Sequence, residues 1–206
     1  QPQADASRIV VAPDAVVDAA GLRGVAIDGA RNQAAQRLFR IELADAPVQR
    51  SGPLYRAEVL FDLREAASAK LAELGGALTS VARTAEERSS SGGSIRLQSE
   101  GAVVLGEGAR IDVSGGSLAY GAATLQTSQV LRGDRTFQLA AAAAGKRIDS
   151  LAALRRSTTV PATTEGRDAG TLTVSGRQLA LAGTLAGGVV QGDAQIGGST
   201  VAARAG

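Results

Sequence analysis

A unit that recurs within the chain constrains its fold more than any other feature. Gly92-Gly93-Ser94-Ile95-Arg96-Leu97-Gln98-Ser99 and Ala169-Gly170-Thr171-Leu172-Thr173-Val174-Ser175 share one pattern: small, small, hydroxyl, apolar, polar, apolar, polar. A second aliphatic run follows each copy, Ala102-Val103-Val104-Leu105 and Gln178-Leu179-Ala180-Leu181-Ala182. A third element follows the first copy, Ala109-Arg110-Ile111-Asp112-Val113-Ser114-Gly115-Gly116. The N-terminal stretch Asp14-Ala15-Val16-Val17-Asp18-Ala19-Ala20-Gly21 repeats it, with Asp18 and Gly21 where Asp112 and Gly115 stand. Self-similarity of this kind outranks other fold signals. The alternation puts Ile95 and Leu97, or Ile111 and Val113, on one strand face and Arg96 or Asp112 on the other. Three short strands joined by Gly-bearing turns take about 20 residues, the length of one solenoid coil. One coil cannot bury its inner face alone, whereas coils stacked about 4.8 Å apart pair every backbone group with the layers above and below.

The expected fold class is therefore all-β, a β-solenoid of parallel strands with Ala-rich helical insertions. Composition agrees. Trp, Cys and Met are absent, with 2 Tyr and 3 Phe, so core bulk must come from Leu, Val, Ile and Ala. A compact globule leans on large aromatic rings, while stacked layers of short aliphatic side chains need them far less. The 26 Gly and 5 Pro give many turns without collagen-like character. A β-sandwich or a set of hairpins is the competing architecture, since alternating strands with Gly turns fit those too. The scarcity of two-residue hairpin turns, with no Asn-Gly and a single Asp-Gly at Asp28-Gly29, counts against it.

The expected organisation is N-terminal coils over 1–62, a helical insertion and linker over 63–91, coils over 92–137, a helical or loop insertion over 138–167, and coils over 168–206. In the first insertion Leu71, Leu74, Leu78 and Val81 recur at helical spacing, weakened by Gly75-Gly76. In the second, Ala140 to Ala144 lead into Ile148, Leu151 and Leu154. Further strand is predicted over Leu38 to Leu43 and Glu58 to Leu63, about a turn at Ser51-Gly52-Pro53. The inward set is expected to include Ile95, Leu97, Val104, Ile111, Val113, Leu172 and Val174.

The runs from Gly93 to Gly116 and from Gly170 to Gly187 resemble the repeats of filamentous-haemagglutinin-type exoproteins of two-partner secretion systems. The likeness is strong over 92–140 and 168–206, weaker over 8–64, and absent from the Ala-rich insert; autotransporter passenger segments look much the same. The resemblance implies a right-handed parallel β-helix in a long secreted filament of the bacterial cell surface, exported through an outer-membrane two-partner transporter. Such filaments serve in adhesion, aggregation or biofilm formation, as virulence factors, or as shafts for toxin delivery. The family's secretion domain carries Asn-Pro-rich motifs, whereas the only Asn here is Asn32, followed by Gln33. With Met also absent, an internal piece of the shaft, or a domain decorating it, is expected. No signal peptide is read at Gln1-Pro2-Gln3, and the longest apolar run, Leu139 to Ala144, is far too short to span a bilayer.

For chemistry, the chain has no His and no Cys, which removes Ser-His-Asp and Cys-His catalysis and nearly every zinc site. Gly106-Glu107-Gly108 opens like a dinucleotide fingerprint, but Ile111 stands where its third Gly belongs. No cofactor is expected. A net charge of +2 without a basic cluster interleaved with aromatics excludes a nucleic-acid binder. Carboxylates are what remains. Asp18 and Asp112 fall at equivalent strand positions, and paired carboxylates are what glycoside hydrolysis needs. A polysaccharide-degrading β-helix enzyme is thus the alternative, set against outward polar residues beside a Gly turn; no enzyme is the expectation. Arg132, Arg135, Lys146, Arg147, Arg155 and Arg156 make one stretch locally basic, with Asp134 and Asp149 opposing. They could attract anionic surfaces such as host or bacterial glycans, or form the solvated face of a helix and its flanks.

Overall fold

The computed structural model describes residues 7–74, 76–77, 81–143, 145–192 and 195. The chain is all-β, its strands forming small separate sheets of two or three. Contacts divide it into two compact units, one of residues 1–27, 83–120 and 163–206, the other of residues 28–82 and 121–162. The chain enters the first unit with β1 (Arg8–Val11), β2 (Val16–Asp18) and β3 (Val25–Ile27). It then makes the hairpin strands β4 (Gln33–Arg37) and β5 (Glu58–Asp62) of the second unit. It returns through the one-turn helix α1 (Ala85–Arg88) to β6 (Ser94–Gln98), β7 (Ala102–Leu105), β8 (Arg110–Asp112) and β9 (Ser117–Tyr120). The second excursion carries β10 (Ala123–Thr127), β11 (Gln129–Arg132), β12 (Arg135–Gln138), β13 (Ser150–Leu151) and β14 (Arg156–Val160). The first unit ends with β15 (Thr163–Gly166), β16 (Thr171–Ser175), β17 (Gln178–Leu181) and β18 (Thr184–Ala186).

Parallel pairing organises the first unit. β7 lies between β1 and β17, and β8 between β2 and β18, all parallel. β6 pairs with β16, and β3 with β9, also in parallel; β15 alone joins β9 antiparallel. The registers put like on like: Val11, Leu105 and Leu181 share one column, and Val17, Ile111 and Leu185 another. Val11, Leu105, Ala109 and Ile111 form the buried core between these sheets, with Ala15, Val17, Ile95, Leu97 and Leu172 packed on it. The runs that repeat in the sequence therefore pair in parallel across large sequence separations, and not as hairpins.

One inward assignment is reversed. β7 buries Val103 and Leu105, at 0% and 1% exposure, and leaves Val104 half-buried on the other face. Because side chains alternate with a period of two, choosing Val104 shifts the whole strand by one residue; the adjacent pair Val103-Val104 gives no alternation to choose by. Val103→Thr is accordingly expected to cost about 1–2 kcal/mol through its buried hydroxyl. Val104→Thr should stay within about 0.5 kcal/mol. Urea midpoints of the two variants would separate them, and equal losses would contradict this register.

The helical insertions are not what the second unit is made of. Among the described residues of 63–87, a 3-10 helix spans Leu63–Ser68, residues 76 and 77 are helical, and α1 begins at Ala85, while 69–74 and 81–84 are not helical. Leu71 and Leu74 are buried as expected but in irregular chain, while Leu78 lies outside the described residues. Over 138–167 the expected helix and the loop after it give way to turns and the strands β13, β14 and β15. An Ala run of this length is marginal as an isolated helix, and Ala141 N–H and Ala142 N–H bond back to Gln138 and Leu139 in turns instead. Residues 28–62 are not parallel coils: β4 and β5 form an antiparallel hairpin. The strand predicted at Leu38 to Leu43 stands earlier, at Gln33–Arg37. That Gln- and Ala-rich stretch has little β-propensity, and its pairing with Val59-Leu60-Phe61 overrides the local preference. Both excursions of the second unit contribute to one core, which joins Leu38, Leu43, Leu54, Val59, Leu71 and Leu74 with Val130, Leu139 and Ile148. Among the described residues no helix is long and apolar enough to cross a membrane. The part of the final coils expected over 196–206 lies outside the described residues.

Candidate functional site

The second unit carries a groove of about 450 Å³, lined by Asp62, Arg64, Glu65, Leu125, Thr127, Gln138, Arg156, Thr158 and Val160. Its floor is one face of the β10–β14 pair. Thr127 stands opposite Arg156 and Leu125 opposite Thr158, and Val160 continues the same face two residues on. Its wall comes from the end of β5. Asp62 caps the 3-10 helix by accepting from the Arg64 backbone N–H at 3.0 Å. The same carboxylate holds the Arg64 guanidinium, whose Nε donates to both oxygens at 2.9 and 3.1 Å. Asp62 and Arg64 thus cancel each other within the wall. Arg156 is held differently. With the Gln138 amide oxygen facing it, its Nε and Nη1 donate at 3.1 and 3.2 Å. No carboxylate among the described residues lies within ion-pair distance of it. Its charge is therefore positioned but not neutralised.

Of the six basic residues singled out in the sequence, Arg156 alone lines this groove, with Arg155 preceding it. Arg132 and Arg135 stand across from each other at the end of the β11–β12 hairpin. Arg132 lies over the Phe137 ring at 4.7 Å, a cation–π contact. Between them Gly133 N–H donates to Asp149 at 2.7 Å, which draws the chain just after Arg147 to the hairpin tip. Lys146 offers its backbone carbonyl to Gln49 Nε2 at 2.6 Å. The three residues from Arg135 to Gln138 span roughly 10 Å of extended chain, so the stretch resolves into a hairpin-tip group and a groove group. It is strand and turn, not the face of a helix.

Asp18 and Asp112 do stand side by side, as Cα partners of β2 and β8. Each carboxylate turns back on its own chain. Asp18 accepts from Ala20 N–H at 2.7 Å, and Asp112 from Ser114 N–H at 2.8 Å. Bonds from Ser114 and the Arg110 guanidinium hold the Asp112 carboxyl down to about 2 from an ordinary 3.8, against a smaller opposing effect of burial. A carboxyl held down in the fold stabilises it above the unfolded pKa, and that stability is lost as pH falls through the folded one. Stability is therefore expected to drop by about 1–2 kcal/mol between pH 4 and pH 2 through this group. Asp112→Asn should flatten that part of the profile; a urea midpoint falling as steeply in the variant would assign the drop elsewhere.

A further group went unread in the sequence. Tyr120 on β9 has its phenol pushed up by burial and by the neighbouring Glu165 carboxylate. Glu165 in turn pairs with Arg167 at 3.2 Å. The available signal was spacing: Asp62-x-Arg64, Arg110-x-Asp112 and Glu165-x-Arg167 each set opposite charges two residues apart, and each makes an ion pair. No protein family or curated protein matches the sequence, and no solved structure matches the fold.

Proposed function

We propose that this chain is a non-catalytic structural and adhesive segment of a large secreted bacterial surface filament. In this reading the first unit is a stretch of right-handed parallel β-helix, and the second is a decoration that presents cations to a surface. The observation that carries it is the shared register of β1, β7 and β17 beside that of β2, β8 and β18. Like residues stacked across three layers are how a solenoid buries its inner face. The resemblance of 93–116 and 170–187 to haemagglutinin-type repeats supplies the class of parent protein, its export through an outer-membrane partner and its place outside the cell. The genomic surroundings of the coding sequence test this: an upstream secretion domain and an adjacent partner-pore gene are expected. A cytoplasmic metabolic operon there would defeat the reading.

The alternative, a carboxylate-based polysaccharide-cleaving enzyme, draws on the juxtaposed Asp18 and Asp112. A general acid needs its pKa raised, and Asp112 is displaced the other way. Adhesion through the exposed cations should be salt-sensitive, because screening shortens from about 8 Å at physiological salt to about 3 Å at 1 M. Retention on an anionic glycan surface is expected to fall as salt rises, and to weaken in Arg155→Ala with Arg156→Ala. Retention indifferent to both would remove the cationic part of this function.

A further inference from the structure

We propose that the free edge of β14 and the groove beside it accept an extended peptide from a partner protein, added as a third strand to the β10–β14 sheet. The inference does not depend on the filament reading. Three observations on the second unit converge on it. First, among the described residues β14 pairs with β10 alone. An antiparallel strand with one neighbour turns alternate N–H and C=O groups outward, where they can template another strand. Arg156, Ser157, Thr158 and Thr159 are all exposed. Pro161 follows the strand directly, and lacking an N–H it ends the edge, so the template is about five residues long.

Second, Arg156, Thr158 and Val160, the alternate residues of this same strand, line the groove. A strand laid along β14 would lower every second side chain beside that floor, which is how edge addition gains specificity beyond its backbone bonds. The wall made by Asp62, Arg64 and Glu65 adjoins β5, and β5 packs chiefly beside β10. Among the described residues the β14 edge is therefore the open side.

Third, charge and polarity run along the floor in order. Arg156, fixed by Gln138 and without a carboxylate, sits at one end; Leu125 and Val160 lie toward the other. The occupant that matches is an extended segment with an acidic side chain and a β-branched apolar side chain four residues apart on one face. Arg155, next in the chain, adds attraction at the same end.

The test uses the whole chain and a library of fluorescein-labelled heptapeptides that alternate Val and Thr and carry one Glu at varied positions. Saturable binding is expected for members with Glu four residues from an apolar residue. It should be lost when alternate peptide nitrogens on the pairing edge are methylated, because this removes backbone donors and leaves side chains intact. Replacing Glu with Lys, or making Arg156→Ala in the protein, should weaken binding about tenfold, while Arg132→Ala at the hairpin tip should not. Three outcomes would overturn the proposal: no saturable binding up to millimolar peptide, equal binding by either N-methylated register, or displacement of no peptide while an acidic oligosaccharide such as tetragalacturonate binds the groove. The last would assign the groove to sugars and leave the adhesive reading standing.

Discussion

Gly116→Ala is expected to cost about 3–5 kcal/mol, among the largest effects of any single methyl group in the chain. A Cβ there would lie 1.9 Å from the Leu22 carbonyl oxygen, 2.5 Å from its carbon and 2.7 Å from Gly21 C. All three are backbone atoms, so no side chain can swing away to make room. Carbon atoms in contact rest at about 3.5–4.0 Å, so the two chain segments must part by more than an ångström. The bonds that hold this corner would be strained by that shift. Gly21 N–H donates to Ser114 O at 2.8 Å, Gly116 N–H to Ser90 O at 2.8 Å, and Ser117 N–H to Leu22 O at 3.0 Å. Each is worth about 1 kcal/mol when made and more when its groups are left buried and unpaired. For a chain of this size the midpoint of thermal unfolding should fall by roughly 10 °C. Gly145→Ala is the control, since nothing lies within 4 Å of a Cβ at that position. Equal melting of the two variants would mean that the corner can open without cost.

The same corner shows why part of this fold is legible in the sequence. Gly21 and Gly115 fall at matching places in two repeats, and the strands before them, β2 and β8, pair residue for residue. A repeat whose copies must lie on one another announces itself, because every copy needs the same small residue at the same tight place. Matching also aligns Ile95 with Leu172 and Leu97 with Val174. The second unit offers no such copy. Its core gathers Leu38, Leu74 and Ile148 from distant places, and its strands are defined by what they pair with. Gln33-Ala34-Ala35-Gln36-Arg37 would favour a helix if alone and is a strand only beside Glu58–Asp62. Leu71 and Leu74 are buried, which is what helical spacing is meant to detect, but spacing of three also suits a chain that winds irregularly over a core. The groove suffers from the same limit. Arg156 is visible as charge, whereas its setting depends on Gln138, which no local pattern ties to it.

Ile111→Ala is expected to cost about 2–5 kcal/mol, the range for a fully buried aliphatic side chain cut back to its Cβ. Ile111 is 1% exposed and lies on the central strand of its sheet. Its Cα partners are Val17 on one side and Leu185 on the other, so the three form a single column across three parallel strands. Chemistry is nearly constant along that column, and layer position is what varies. Leu185 is 46% exposed because, among the described residues, its strand, β18, pairs on one side only. About half the transfer free energy and little cavity remain to be lost there, which gives roughly 1 kcal/mol for Leu185→Ala. Val16 precedes Val17 on the same strand and points the other way, at 65% exposure. Val16→Ala should fall within about 0.5 kcal/mol. The expected order is thus Ile111, then Leu185, then Val16, and it follows from parallel layering, since neither residue type nor local sequence would rank an Ile so far above a Leu. Denaturant midpoints for the three variants give the order directly. If Leu185→Ala cost as much as Ile111→Ala, Leu185 would have to be covered in solution.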